Sequence, residues 1–233
     1  MLVPTTHAAT STVCTVGCDF TTLYDAVTAD APGPDGILID AGYFFLHDDE
    51  NFGDITLPED TYVTCDPNIT LGDGEGSLIL RSNNQTTINA CHFDGVILRA
   101  ESVSDVYWKN NTFELPFRSE FHLFDVTNYE ITNNENPSHV RMYNADFGTI
   151  DNNDFACRYS SDLSLGCVHS TYISIVPYDG SATSTDPIYN SNDVTINGNN
   201  FTDPNNENHL FIDFFGGFDV TTTNNYFYVT KSL

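Results

Sequence analysis

The sequence predicts an all-β fold in which the chain winds into a parallel β-solenoid with one short helix near its N-terminus. Three observations predict this fold. A short pattern containing asparagine and phenylalanine recurs about every 20 to 25 residues. Its units alternate between apolar and polar residues, as strands do, and are divided by Asn, Asp and Gly. Helical periodicity is nearly absent, and 233 residues are enough to bury a sizeable core as one domain.

The composition excludes two classes of partner. The chain has 33 acidic residues and 7 Lys or Arg, which gives a formal net charge of −26. A protein that binds nucleic acid needs a cationic surface, and so does one that docks on anionic lipid. No apolar run approaches the ~20 residues of a membrane span, so we expect neither nucleic-acid binding nor membrane insertion. A content of 40% hydrophobic and 13% aromatic residues excludes a disordered acidic tail.

One segment near the N-terminus predicts a helix. In residues 21–31, TTLYDAVTADA, the side chains of Leu23, Ala26 and Val27 fall on one helical face. An open solenoid end exposes core side chains and an unpaired strand edge, so a cap is required on physical grounds. We therefore predict an N-terminal segment and cap over 1–36, followed by the parallel β-helix over 37–233, within one domain.

Four segments share the repeating pattern. In each, an inward-facing anchor residue is followed by Asn at the third position and by Phe at the fifth. The segments are DVYWKNNTF (105–113), DFGTIDNNDF (146–155), DVTINGNNF (193–201) and DVTTTNNYF (219–227). Their anchors are Trp108, Ile150, Ile196 and Thr222. Ile88 and Ile131 anchor two further turns that each keep half of the pattern.

One interval between anchors is about twice as long as the others. Ile150 and Ile196 are separated by 196 − 150 = 46 residues, whereas the other intervals run from 19 to 26. We interpret the long interval as two turns, with Ile173 as the anchor of a degenerate turn between them.

Stacking of parallel strands gives the repeated Asn and Phe residues a structural role. Successive turns lie ~4.8 Å apart, so equivalent residues form columns. We expect each inward Asn to adopt the left-handed backbone at a bend and to bond its amide to the Asn above and below. This asparagine ladder comprises Asn111, Asn134, Asn153, Asn199 and Asn225. The matching aromatic stack in the core comprises Phe113, Phe155, Phe201 and Phe227.

The six cysteines favour disulfides over a metal site. No CxxC pair occurs, and no His lies at zinc-ligand spacing from two of them. The predicted disulfides are Cys14–Cys18, Cys65–Cys91 and Cys157–Cys167. Such bonds persist in oxidising compartments, which predicts an extracellular protein or one on a cell or virion surface. Sequons that permit N-glycosylation there, or that arise by chance in an Asn- and Thr-rich chain, begin at Asn68, Asn84, Asn110 and Asn200.

Four stretches near the N-terminus carry a family resemblance. They are GCDFTTLYDAV (17–27), PDGILIDAGYFF (34–45), DITLPEDTYVTC (54–65) and NITLGDGEGSLIL (68–80). Through them the chain resembles the right-handed parallel β-helix family, the pectate-lyase-like fold, and the resemblance extends over nearly the whole sequence. In that family a short amphipathic helix caps the coil, and the first turn opens with a strand like residues 37–43. The resemblance implies a single-stranded right-handed parallel β-helix.

The same resemblance implies carbohydrate-active chemistry, but the sequence lacks its motifs. The lyases of this fold use calcium held by acidic residues and an Arg or Lys as base. The related hydrolases use paired aspartates in short motifs, and neither these nor the epimerase signature occurs here. The sequence therefore leans towards a protein that is not an enzyme.

Three of the five arginines recur at similar distances from the anchors. Arg99, Arg118 and Arg141 stand 11, 10 and 10 residues after the anchors of their turns. Glu101 and Glu120 follow the first two of them by two residues. We expect these arginines to form one column on three successive turns, where their guanidinium groups would clamp a uronate or a sulfate.

Two histidines lie near the same turns, and a simpler interpretation of the arginines also stands. His122 and His139 could shuttle a proton if the column is catalytic. Alternatively, each arginine pairs with its own Glu or with a neighbouring Asp on the acidic surface, where exposed ion pairs contribute little.

Two acidic loops offer hard oxygen ligands for Ca²⁺. The candidate ligands are Asp48, Asp49, Glu50, Asp73 and Glu75. Neither loop matches the EF-hand or the glycine-rich calcium repeat of another solenoid class. Bound calcium is therefore one prediction, and a solvated acidic loop is its alternative.

Together these observations predict a structural or adhesive role. We expect a secreted or surface-displayed β-helix, a component of an extracellular appendage or fibre, that contacts carbohydrate. Its partners would be copies of itself or other surface proteins, reached through a C-terminal end that shows no obvious cap. The alternative for this end is that the native chain continues. The alternative is a calcium-assisted polysaccharide lyase or a glycoside hydrolase acting on acidic glycans, with the arginine column as clamp and base.

Overall fold

The computed structural model shows a solenoid of parallel β-strands. Within the described residues the one helix is α1 (Leu23–Thr28), and every strand pairing is parallel. The predicted all-β parallel β-solenoid is therefore confirmed. The described residues are 10–29, 36–39, 54–72, 78–114, 120–156, 171–176, 191–203, 210–214 and 217–229.

Twenty-two strands make up the described part of the solenoid. In chain order they are β1 (Thr10–Val13), β2 (Gly36–Ile39), β3 (Asp54–Thr56), β4 (Tyr62–Cys65), β5 (Thr70–Gly72), β6 (Leu78–Ser82), β7 (Thr87–Asn89), β8 (His92–Asp94), β9 (Val96–Glu101), β10 (Ser104–Lys109), β11 (Thr112–Phe113), β12 (Glu120–Thr132), β13 (His139–Asp151), β14 (Asp154–Ala156), β15 (Thr171–Ile175), β16 (Ser191–Asn192), β17 (Val194–Asn197), β18 (Asn200–Asp203), β19 (Leu210–Phe214), β20 (Gly217–Phe218), β21 (Thr221–Thr223) and β22 (Tyr226–Val229).

The strands form three faces, each a series of parallel strands stacked along the solenoid axis. The first face runs β1-β2-β4-β7-β10-β12-β13-β17-β21, and the second runs β3-β6-β9-β12-β13-β15-β19. The third face holds β5-β8-β11 and β14-β18-β22, which Glu135 connects through bridges to Thr112 and Asp154. The 13-residue strands β12 and β13 run through both the first and the second face, and β16 pairs with β20.

The core fills the space between the three faces with apolar side chains. Buried and partly exposed residues alternate along the strands, so one side of each strand contributes to the core. The largest fully buried side chain is Trp108, and its Nε1 donates to Ser82 Oγ at 2.9 Å, so its burial leaves no unsatisfied donor. The fully buried anchors stack in the predicted order, Ile88, Trp108, Ile131, Ile150 and Ile196.

The 46-residue interval between two anchors is one turn, which corrects the interpretation made from the sequence. Ile150 pairs directly with Ile196 in the first face. Ile173 is not an anchor, because it lies in the second face, where it stacks between Val140 and Ile212. The turn is long because 14 residues separate β14 from β15 and 15 residues separate β15 from β16.

The five predicted ladder asparagines lie in one column and share their amides. The backbone N–H and Nδ2 of Asn111 both donate to Oδ1 of Asn134, at 3.0 and 3.1 Å. The same two bonds join each later member to the next, at 2.9 to 3.1 Å, down to Asn225. Each Nδ2 also donates to the carbonyl of the anchor one turn back, as Asn153 does to Ile131 at 2.8 Å.

The left-handed backbone expected of the ladder asparagines belongs instead to the residues that precede them. These residues have φ between +53° and +67°, and they are Asn110, Asn133, Asn152, Gly198 and Asn224. None of the ladder residues themselves has a positive φ. The preceding residue therefore makes the bend, and the ladder side chain is left to point into the core.

The aromatic stack in the third face is interrupted once. Phe155, Phe201 and Phe227 have ring centroids 5.0 and 5.1 Å apart and planes 8° from parallel. Phe113 pairs instead with the Phe of the preceding turn, at 5.4 Å and with tilted rings. Asn136 takes the position between the two groups, so the predicted stack is divided.

The helix α1 closes the N-terminal end of the solenoid. Thr22 is its cap, with Oγ1 accepting from the backbone N–H of Asp25 at 2.9 Å. Leu23 and Ala26 are buried in the common core. The helix begins two residues after its predicted start and ends at Thr28, and its last two predicted residues lie outside the described residues. Parallel stacking begins at β1, inside the predicted cap segment, because β1 pairs with β2.

Two of the predicted disulfides are formed among the described residues. Cys14–Cys18 closes the loop before α1, with Cα atoms 5.5 Å apart. Cys65–Cys91 joins neighbouring turns, with Cα atoms 4.8 Å apart. Cys91 stands one rung before Asn111 and donates its backbone N–H to Oδ1 of that residue at 3.1 Å, so the disulfide takes the place of a further asparagine. Cys157–Cys167 lies outside the described residues.

Candidate functional site

The second face carries a column of basic side chains on its outer surface. Arg81 of β6 pairs with Arg99 of β9, which in turn pairs with His122 of β12. His122 then pairs with Arg141 of β13. Adjacent parallel strands lie ~4.8 Å apart, so four neighbouring turns each present one basic side chain. The cationic column is the set Arg81, Arg99, His122 and Arg141.

This column corrects the one predicted from the sequence. His122 stands between Arg99 and Arg141, where the spacing had placed Arg118, and Arg118 itself lies outside the described residues. The spacing failed because the connections before these strands differ in length. Six residues separate β11 from β12, whereas Gly95 alone separates β8 from β9.

Glu101 neutralises part of the cationic column. Its Oε2 lies 2.8 Å from Arg99 Nη2 and 3.2 Å from Arg81 Nη1. The side chain of Glu101 is 49% exposed, so these are surface ion pairs of modest energy. The simpler interpretation, that the arginines pair with neighbouring acids, therefore holds at this end of the column.

Arg141 has no such partner among the described residues. Its side chain makes no hydrogen bond or ion pair with any of them. Its neighbours in the column are His122 and Ser174, and neither carries a negative charge. Its guanidinium group therefore does not have to break a contact with a described residue before it binds an anion from outside.

Two stacked aromatic rings flank the cationic column. Phe124 and Tyr143 follow His122 and Arg141 by two residues, and their ring centroids lie 4.8 Å apart with planes 6° from parallel. The guanidinium carbon of Arg99 lies 4.6 Å from the centroid of the Phe124 ring, a cation–π contact. The face thus combines a flat aromatic surface with guanidinium groups, which suits a ring-shaped ligand that carries an anionic group.

Glu120 and His139 lie on the other flank of the column and are buried. Glu120 is 8% exposed, and its Oε2 lies 2.6 Å from His122 Nε2, so this carboxyl orients the imidazole ring. Glu120 pairs in register with His139, whose Nε2 lies 3.0 Å from Ser174 Oγ. Glu120 is therefore on the opposite side of the column from Glu101, not on the same side as the sequence predicted.

Three residues of this face were missed by the sequence analysis: Arg81, Phe124 and Tyr143. The number of residues between a basic residue and the following anchor predicts its place in the cationic column, whereas the number counted from the preceding anchor does not. The last three members of the cationic column each precede the next anchor by nine residues, since 108 − 99 = 131 − 122 = 150 − 141 = 9. Counting backwards avoids the connections of variable length that lie before the second face.

The predicted calcium ligands are not placed by the structure. Asp48, Asp49, Glu50, Asp73 and Glu75 lie outside the described residues, so calcium binding stays a prediction. The part of the chain that the structure describes contains no group of three His, Cys, Asp or Glu residues arranged to hold a metal ion. In that same part, no helix has the length and apolar character needed to cross a membrane.

The four sequon asparagines differ in how far their side chains are engaged. Asn68 is exposed, and among the described residues its side chain bonds to Asp66 of its own turn. Asn84 donates to one neighbouring turn at 3.0 Å and accepts from the other at 2.9 Å. Asn110 donates to the preceding turn at 2.7 Å, and Asn200 lies within β18. Glycosylation stays a prediction, and Asn68 is the position that a glycan would disturb least.

Comparisons with known proteins identify no family for this chain. No protein-family model matches it, and no curated protein matches it. Among solved structures, the surface protein and adhesin PfbA of Streptococcus pneumoniae is similar, with 14% sequence identity and a TM-score of 0.36. The alignment covers 83% of this chain and 82% of that one. No family model supports the resemblance to the pectate-lyase-like fold, and a structural likeness at this level carries no functional argument.

Proposed function

We propose that the protein is a secreted or surface-displayed adhesive β-solenoid that holds an acidic glycan on its second face, as a component of an extracellular appendage or fibre. The observation that carries the proposal is the cationic column beside the stacked rings of Phe124 and Tyr143. It gathers three of the five arginines of a chain with a net charge of −26. The two disulfides among the described residues support a location in an oxidising compartment.

Sugars that carry carboxylate or sulfate groups suit both parts of this face. The apolar side of a sugar ring packs its C–H groups against an aromatic ring. A guanidinium group binds a carboxylate or sulfate through two parallel hydrogen bonds. A polymer lying along the solenoid axis would meet one basic side chain on each of four turns.

The charge of the rest of the chain supports a localised site. Like-charge repulsion disfavours the approach of a polyanion to a surface rich in Asp and Glu. Within the described residues, the cationic column is where basic side chains adjoin one another on successive turns. An acidic glycan should therefore bind along this column rather than over the whole solenoid.

Substitution of Arg141 tests the proposal. Arg141→Gln keeps a polar side chain but removes the charge, and we expect its affinity for uronate or sulfated polymers to fall about 10- to 100-fold. Lys109→Gln is the matched control, because it removes one positive charge from the first face, where Lys109 pairs with Glu130. Isothermal titration calorimetry with polyuronate, a sulfated glycan and a neutral glucan measures both variants.

Three results would contradict the proposal. The unmodified protein could bind none of the acidic polymers, or it could bind the neutral glucan equally well. Equal losses of affinity in Arg141→Gln and Lys109→Gln would indicate a general effect of charge rather than a site.

A second candidate is a polysaccharide lyase or hydrolase that acts on the same acidic glycans. The contact between Glu120 and His122 favours it, because a carboxyl 2.6 Å from an imidazole can take part in proton transfer. The cationic column would then clamp the substrate. Incubating uronate polymers with the protein, with and without Ca²⁺, separates the two functions. Unsaturated or new reducing ends would indicate an enzyme, and binding without product would indicate an adhesive protein.

A further inference from the structure

One bend of the solenoid has a left-handed backbone in seven successive turns. The residue at this bend stands three positions before an inward residue of the first face. Its φ lies between +53° and +60° in each of these turns. The edge column is the set Asp60, Gln85, Asp105, Asn128, Phe147, Asp193 and Asp219. Six of these residues are polar, and Phe147 is the exception.

Phenylalanine is poorly suited to this position. A left-handed backbone brings the Cβ atom of an L residue too close to a carbonyl oxygen, and Asn and Asp tolerate this conformation best. Asn128 also donates from Nδ2 to Oδ1 of Asp105 in the turn before, a bond that a phenyl ring cannot make. The side chain of Phe147 is 60% exposed, so burial in the core does not offset these costs. A residue that costs the fold stability at an exposed bend indicates a use in binding.

Phe147 lies on the same strand as two residues of the proposed glycan site. The strand β13 carries Arg141 and Tyr143 on the outer side of the second face and reaches the edge column four residues after Tyr143. At ~3.3 Å per residue, Tyr143 and Phe147 lie up to about 13 Å apart along the strand. A short oligosaccharide covers such a distance, so one ligand bound at Arg141 and Tyr143 can extend to Phe147.

The charges beside Phe147 indicate which kind of sugar it would contact. Asp146 precedes it in the chain, and Asp193 is its neighbour in the edge column on the following turn. Two carboxylates this close repel an acidic sugar. An uncharged sugar avoids this cost, and the C–H groups of its ring pack against an exposed phenyl ring. The position of Phe147 therefore suits a neutral sugar, whereas the cationic column suits an acidic one.

We infer that Phe147 is a specificity-determining residue, which binds a neutral sugar of the same glycan whose acidic sugar is held by Arg141. This role rests on the proposed function and adds the composition of the ligand, in which neutral and acidic sugars are joined in one polymer. Phe147 contributes apolar contact area and no charge, so its share of the affinity should be insensitive to salt. The share of Arg141 should fall as salt is added, because salt screens charges.

Phe147→Asn tests this role, because asparagine stands at the same bend one turn earlier, as Asn128. The probes are glucuronoxylan, a neutral backbone with uronate branches, and polygalacturonate, which consists of uronates alone. By isothermal titration calorimetry, we expect the variant to bind glucuronoxylan about 10-fold more weakly and polygalacturonate within about 2-fold of the unmodified protein. The midpoint of its thermal unfolding should rise by about 2 to 4 °C, because asparagine tolerates the left-handed backbone.

Three further variants serve as controls. Tyr24→Asn removes an aromatic ring that is 49% exposed on α1, far from β13 in the stack, and it should change neither affinity. Phe147→Trp keeps an aromatic surface at the bend and should keep the affinity for glucuronoxylan. Arg141→Gln should weaken the binding of both polymers, since both carry uronates.

Four results would overturn the role of Phe147. Phe147→Asn could bind glucuronoxylan as well as the unmodified protein does while Arg141→Gln does not, which would leave the proposed function standing. It could lose equal affinity for both polymers, which would assign an acidic sugar to this position. It could unfold at a lower temperature, which would show that the ring supports the fold. It could form a smaller species in analytical ultracentrifugation, which would assign Phe147 to a contact between copies of the chain. An unmodified protein that binds neither polymer would contradict the proposed function as well.

Discussion

Gly148 is a residue whose identity is set by a neighbour one turn away. It stacks between Tyr129 and Val194 in an inward column of the first face, with Val106 one turn earlier. A Cβ atom on Gly148 would lie 1.8 Å from Cζ of Tyr129, so a larger residue cannot fit beside this ring. The Tyr129 hydroxyl donates to Met142 Sδ at 3.0 Å. Burial raises the pKa of Tyr129 above its ordinary value, so the hydroxyl remains protonated.

We expect Gly148→Val to lower the free energy of unfolding by about 3 kcal/mol, because it overpacks a filled core. The double variant Gly148→Val, Tyr129→Val should recover most of this loss, because it removes the ring and makes the column valine throughout. Urea unfolding followed by circular dichroism measures both variants. A single variant as stable as the unmodified protein, or a double variant that is less stable than the single one, would disprove this pairing.

The asparagine ladder is an element built from single residues of many turns, and its interior members make more contacts than its last one. Nδ2 of Asn153 donates to Ile131 O and to Asn199 Oδ1, while its own Oδ1 accepts two bonds from Asn134. All of these atoms lie in the buried part of the chain, where an unpaired polar group is costly. Asn225 lies on the last described turn and is partly exposed to water.

Replacing an interior rung should therefore cost more than replacing the last one. We expect Asn153→Ala to lower the free energy of unfolding by about 3 kcal/mol or more, because it leaves several buried groups without partners. We expect Asn225→Ala to cost about 1 kcal/mol, since water can replace part of what is lost. Chemical denaturation of the two variants gives the comparison. Equal costs would mean that the ladder adds little beyond the local bends.

The sequence predicts an element correctly when the same number of residues separates its members from the anchor in every turn. A ladder asparagine always follows its anchor by three residues, because both belong to one bend of the same turn, and the prediction of this element needed no structure. Arg118 was misplaced because its offset crosses the connection between β11 and β12, and Ile173 because two long connections lie within one turn. The packing of the core strands does not fix how many residues connect one strand to the next, so the lengths of the connections follow no period.

The candidate site was harder to predict than the fold for a related reason. The ion pair of Glu101 with Arg81 joins two turns, so it depends on the register, which depends on the connections. The ion pair of Glu101 with Arg99 lies within β9 and is the one that the sequence offered as its alternative. The stacked pair of Phe124 and Tyr143 lies on the outer side of the strands, where the alternation predicts polar residues. An aromatic residue at an outward position in two successive turns is therefore the kind of exception that indicates a surface with a partner.

At the scale of the whole molecule the solenoid is a stack in which strands pair with the turns directly above and below. Its stability is then close to a sum over turns and over the interfaces between neighbouring turns. The N-terminal end is closed by α1, and the last described turn has one neighbour.

The disulfide between Cys65 and Cys91 limits how far the chain can extend when the molecule is under tension. A solenoid pulled from its two ends unravels turn by turn, but a covalent bond keeps the segment between these cysteines, which are 26 positions apart in sequence, from lengthening. At ~3.5 Å per residue, the bond withholds about 90 Å of extension. Single-molecule force spectroscopy should show this additional length in the variant Cys65→Ser, Cys91→Ser and not in the oxidised protein. Equal extensions would show that the bond is absent or not loaded. If the protein has the proposed adhesive function, the turns between Cys65 and Cys91 would stay closed under the pull of flowing liquid while other turns yield.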